Sequence, residues 1–172
     1  MSSYPLDFRL AQAIGLTGAA WLSGSIGGLS NIAIPALVQS HREDNVPSST
    51  ITKQWQRLYN IGKAQVTPVA AGVAVSFGYL AWSVRGDALF KQAPLSRTAL
   101  FSTAAIMTLG IVPFTLVVMS STNGALRKKA VSTSESSGEE TIDLIERWTT
   151  LNRLRSFLPL AGAFCGIIAS FI

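Results

Sequence analysis

The chain has 172 residues, of which 48% are hydrophobic and 13% charged, with a formal net charge of +5. The charges fall in clusters separated by long neutral stretches, a pattern foreign to water-soluble domains. The modest positive excess, divided among loops, suits anionic lipid headgroups rather than a nucleic-acid surface, so no nucleic-acid partner is expected.

A hydrocarbon core roughly 30 Å thick requires about 20 apolar residues in a helix. The first charge-free stretch, Leu10 to Ser40, lies between Arg9 and His41. It is longer than the apolar part of a secretory leader and lacks a basic run before it, so an anchor is expected. Its Gly24 and Gly28 form a GxxxG, which predicts close helix packing. His41, the single histidine, stands where this span ends; a solvated loop residue is the default and a proton-accepting role the alternative. One histidine cannot build a two-histidine iron or copper site, and no metal ligand set is predicted.

The second stretch runs from Ala64 to Trp82, between Lys63 and Arg85, and the third from Thr98 to Leu126. Pro113 interrupts the third, with Thr108 or Thr115 able to compensate the freed carbonyl. The Ser-rich segment 130–140 has no periodicity and reads as a flexible connector. After Arg155 only the 17 residues Ser156 to Ile172 remain, so the fourth span recruits the preceding turn and Arg155 snorkels toward the headgroups. Asp143 and Glu146 suit a solvated helix start. Cys165 has no partner for a disulfide or thiolate site within one chain. The expected fold is an all-α polytopic membrane four-helix bundle forming one domain, 1–172, with spans near 10–40, 64–84, 98–126 and 152–172.

With four spans, one side of the membrane carries the loops from Ser40 to Lys63 and from Arg127 to Arg155, with ten Lys/Arg, and the other carries four. The positive-inside rule puts those two longer loops in the cytosol.

The two halves echo one another: Asn31 and Asn123, Trp55 and Trp148, Leu58 and Leu151, and Pro68 and Pro159 recur at nearly constant offset. Two tandem helical hairpins would explain this. Trp148, Asn152 and Arg155 are spaced i, i+4 and i+7, within about 40° on one helical face. Trp55 and Tyr59 form the matching i, i+4 pair. Asn31 and Asn123 close the preceding spans on the same side, and Pro68 and Pro159 make both following helices prone to kink beside the cluster. An interfacial belt explains tryptophan and arginine at that depth. Asparagine does not belong to the belt, so Trp148, Asn152 and Arg155 together predict a pocket with indole walls and polar anchors.

The runs GLTGAAWLSGSIGGLSNIAIPAL, WQRLYNIGK, PFTLVVMSSTNGAL and ERWTTLNRLRSFLPLAGA resemble the fungal anthrone oxygenase family over nearly the whole chain. The W-T-x-x-N-x-x-R stretch at Trp148 to Arg155, and P-F-T followed by T-N, are the most specific parts. The resemblance implies oxidation of a polyketide anthrone to an anthraquinone, with O2 as co-substrate and no cofactor. It also implies an aromatic polyketide as small-molecule partner in a multi-pass protein of the endoplasmic reticulum or vesicle membrane. Self-association into a homo-oligomer is left open.

For that chemistry Arg155 is the expected partner of the enolate charge, and Asn152 and Asn123 donors to the substrate oxygens. Trp148 and Trp55 would stack on the tricycle, and Tyr59 and His41 are the candidate bases. Asn31 is the second polar anchor. A non-catalytic membrane protein that binds, carries or scaffolds hydrophobic metabolites would present the same apolar bundle with a polar mouth.

Overall fold

The computed structural model describes residues 4–86, 96–131 and 138–172. Most of the predicted connector, residues 132–137, lies outside them, as do residues 87–95 of the loop between the second and third spans. The described residues are helical throughout, with no strand: α1 (Leu6–Asp44), α2 (Ser48–Ser83), α3 (Arg97–Val118), α4 (Ser120–Val131) and α5 (Gly138–Phe171). Helices α1, α2, α3 and α5 are long and apolar enough to cross a bilayer. Protein buries only 22% of the most apolar window of α3 and 39% of that of α2. Side chains such as Val75, Leu116 and Val117 stay about 70% exposed, so the remaining apolar surface requires lipid. The chain is an all-α membrane protein.

Local chemistry explains the helix ends. Ser96 caps α3, its Oγ accepting from Ala99 N at 3.1 Å. Helix α1 stops at Asn45, the one non-glycine residue with positive φ among the described residues (55°), and Val46 N returns to Ser40 O at 3.3 Å. A left-handed asparagine is a common helix stop. Pro68 and Pro159 sit inside helices that continue through them.

Two π turns break the α register, Leu29–Ala33 in α1 and Phe114–Val118 in α3. The first lies two residues before Pro35, and Ile34 N reaches Leu29 O, one residue beyond its α-helical partner Ser30. The second follows Pro113, and Met119 N bonds Phe114 O at 3.2 Å.

The chain divides into two compact units, each built from parts of all four spans. One comprises Met1–Ser23, Thr67–Ile111 and Phe157–Ile172; the other Gly24–Val66 and Val112–Ser156. In the first, Arg97 is buried, its Nε donating to Ala169 O at 3.0 Å and an amino group to the Tyr4 hydroxyl. Close packing here falls on Gly15 and Gly18 of α1, against Phe77 and Val73, and on Gly162 and Gly166 of α5, where a Cβ at Gly162 would stand 2.9 Å from Ala104 O; at the predicted GxxxG, a Cβ on Gly24 or Gly28 would meet nothing within 4 Å. Gly24 is exposed, so that pair presents no face to a neighbouring helix.

The second unit is cored by Trp55, Trp148, Ile51, Met119, Leu126 and Ile145. Trp55 and Trp148 meet edge to face with centroids 5.8 Å apart, a geometry worth about 1 kcal/mol beyond the buried area.

Candidate functional site

In this second unit the i, i+4, i+7 face of α5 does converge on polar partners. Asn152 is completely buried; its Nδ2 donates to Ile26 O and Ser30 Oγ, both at 2.8 Å, tying α5 to α1 just before the π turn. Its Oδ1 accepts from Arg155 Nη2 at 2.8 Å. The other Arg155 amino group donates to Thr115 Oγ1 at 2.7 Å, inside the π turn of α3. Arg155 Nε is buried and has no hydrogen-bond partner. Both amino groups are held by neutral oxygens, so no carboxylate offsets this charge among the described residues.

Tyr59 lies within electrostatic reach of Arg155. Trp55 stacks on the Tyr59 ring at 5.4 Å, and the Arg127 guanidinium is centred 5.0 Å from the same ring. Trp148 Nε1 donates to Asn123 Oδ1 at 2.9 Å, whereas Trp55 Nε1 is buried without a partner. Thr122 Oγ1 is a third buried atom without one.

Of the eight residues singled out from sequence, six therefore fall in a network of two parts, the hydrogen-bonded pair Asn152 and Arg155 and the set Trp55, Tyr59, Trp148 and Asn123, which meet only through the electrostatic reach between Arg155 and Tyr59. Both indoles are buried, their rings packed on each other and on Tyr59. The other two residues are held differently. Asn31, exposed in the first π turn, accepts from Arg153 Nε at 2.9 Å. The His41 ring uses Nδ1 on Val46 O at 2.6 Å, and its Nε2 faces Gly138 at the start of α5.

Sequence reasoning passed over Arg127, Ser30 and Arg153, and it gave Thr115 a backbone role alone. A signal for Arg127 existed: it stands four residues after Asn123, so a helix continuing past that asparagine puts both on one face. Among the described residues no group of three or more His, Cys, Asp or Glu could hold a metal ion.

Comparison with known proteins starts at one of these tryptophans: the family model for anthrone oxygenase matches residues 55–165. The chain belongs to the anthrone oxygenase family. The matched segment contains all six networked residues and leaves out Asn31 and His41. Similar members include anthrone oxygenase encC of Aspergillus fumigatus, 32% identical over 94% of this chain and 92% of its own. An anthrone oxygenase of Claviceps purpurea is 32% identical over 90% of this chain and 85% of its own. The noranthrone monooxygenase of Aspergillus flavus is 28% identical over 89% of this chain and 69% of its own. No solved structure matches the chain.

Proposed function

We propose that this family member oxidises a polyketide anthrone to the anthraquinone with O2, in an aromatic polyketide pathway and without metal or flavin. The observation that carries the reading is the Arg155 guanidinium, uncompensated by a carboxylate, with a buried unpartnered Nε, beside Tyr59 inside the family-matched segment.

The substrate's own chemistry supports the absence of a cofactor. Loss of the methylene proton leaves an electron-rich enolate that reduces O2 by itself. In the proposed sequence Tyr59 is the base that takes that proton. The Arg155 Nε–H binds the enolate oxygen, and Trp55 Nε1–H donates to a neighbouring oxygen. O2 adds at the carbanion carbon to give a hydroperoxide, and elimination of one water leaves the second carbonyl. One anthrone and one O2 give one quinone and one water, with no external reductant. Asn152 and Thr115 act as positioning residues because their hydrogen bonds aim the Arg155 fork. Asn123 fixes the Trp148 ring.

The relatives' names support the substrate class, and the Arg155 network inside the family-matched segment supports the site. Detergent-solubilised protein given 1,8-dihydroxyanthrone under air tests the reading. Quinone formation above the spontaneous rate, loss of that excess in Arg155→Ala and indifference to a chelator are expected. A wild-type rate equal to background leaves a non-catalytic carrier or scaffold. For placement we favour the endoplasmic reticulum or a vesicle membrane, with the α1–α2 connection cytosolic; a membrane-impermeant thiol reagent should label Ser49→Cys in intact microsomes.

A further inference from the structure

A groove of about 400 Å³ lies in the same unit, between the C-terminal part of α1 and α5, lined by none of the six networked residues. Such a volume falls within the roughly 300–1,000 Å³ of small-molecule sites. Its floor is apolar, from Ile34, Pro35 and Val38. Ile34 and Val38 are buried and belong to the core that holds both tryptophans, so the floor is continuous with the packing behind the Arg155 network.

The rim has a polarity of its own. Arg42 Nη2 meets Glu146 Oε1 at 2.7 Å, joining the two walls, and Gln39 Nε2 donates to Glu43 Oε1 at 2.9 Å. The Thr149 and Thr150 hydroxyls donate down their own helix, to Ile145 O at 2.8 Å and Glu146 O at 3.1 Å. These hydroxyl protons are spent, and what remains toward the groove is carboxylate oxygens, the Gln39 carbonyl and threonine lone pairs as acceptors, with the remaining N–H groups of Arg42 as donors beside them. An acceptor-rich rim above an apolar floor fits a flat ring system carrying several hydroxyl donors. Two carboxylates at the rim disfavour an anionic lipid headgroup.

We infer that this groove is a second binding site that holds a neutral polyhydroxylated aromatic, anthrone or anthraquinone, apart from the Arg155 network. The site is a holding station: its ring face rests on Ile34 and Val38, and its phenols donate to Glu43 and Glu146. The identity of the ligand rests on the anthrone reading above; the groove and its donor–acceptor balance do not.

Equilibrium dialysis of 1,8-dihydroxyanthraquinone against protein in phosphatidylcholine nanodiscs, with empty discs subtracted, tests it. Thr150→Trp narrows the groove from an exposed position, and Glu43→Gln removes a charged acceptor that is also exposed. Each should weaken binding about tenfold. Unchanged affinity in both variants overturns the proposal. So does binding lost in Arg155→Ala and retained in the groove variants, which would leave the Arg155 network as the sole site. Uptake no greater than that of empty discs would show partition into lipid and overturn it too. A wild type that binds the quinone through the groove yet does not accelerate anthrone oxidation would sink the enzymatic reading and leave the groove standing.

Discussion

Trp148 donates its indole N–H to Asn123 Oδ1 at 2.9 Å, whereas Trp55, 5.8 Å away edge to face, keeps its own indole N–H buried and unpartnered. Two residues that correspond in the sequence repeat are thus satisfied unequally. Asn123→Ala leaves a second buried donor orphaned and should lower stability by about 1 kcal/mol, read as a fall in the thermal midpoint. Trp55→Phe removes a donor that bonds nothing but also opens space in the core, so the midpoint should fall here too. If Trp55 Nε1 serves the substrate, anthrone turnover per folded molecule should fall about tenfold. A loss in proportion to stability alone would assign Trp55 to the core.

Arg155→Lys preserves the charge and discards the fork. A lysine has three N–H donors, but they radiate from one nitrogen and cannot reproduce the spacing by which two nitrogens hold Thr115 Oγ1 and Asn152 Oδ1 while Nε points elsewhere. The initial rate above background should drop by about a hundredfold, with the quinone product unchanged. A lysine variant with near wild-type turnover would show that charge suffices and that the planar geometry has no catalytic part.

The spans were legible because an apolar run bounded by charge has few other meanings, and W-T-x-x-N-x-x-R because helical spacing puts its members on one face. The π turns were not. A π turn shifts the register of the helix beyond it, and the sequence shows only a proline beside it, as at Pro35 and Pro113. Nor was the difference between Asn31 and Asn123 legible. Arg153, one position past Asn152, captures Asn31, and at the tryptophan offset the corresponding residue is the uncharged Asn60. The depth of the indoles was hidden for another reason: tryptophan suits both a membrane interface and a core, and packing decides between them.

Pro113→Ala restores a backbone donor beside the second π turn, and α3 is expected to run as regular α-helix there. Thermal stability should hold or rise slightly. Thr115 would rotate away from Arg155 Nη1, and turnover should fall several-fold with little change in quinone binding. Hydrogen exchange should show new protection at Thr115 to Val118. Unchanged turnover alongside that protection would separate the π turn from the chemistry.

Two glycine substitutions test the helix packing with opposite expected signs. At Gly162 a Cβ would lie 2.9 Å from Ala104 O and 3.0 Å from Thr108 Oγ1, so α3 and α5 must separate within their unit. Gly162→Ala should lower stability by about 2 kcal/mol. At Gly24 the added methyl meets nothing within 4 Å, and the helix gains by losing a flexible residue. Gly24→Ala should therefore raise stability by about 0.5 kcal/mol. Thermal midpoints measured in one detergent suffice for both. A large loss at Gly24 would mean that its exposed face is covered by something other than lipid, because none of the described residues stands there to be displaced.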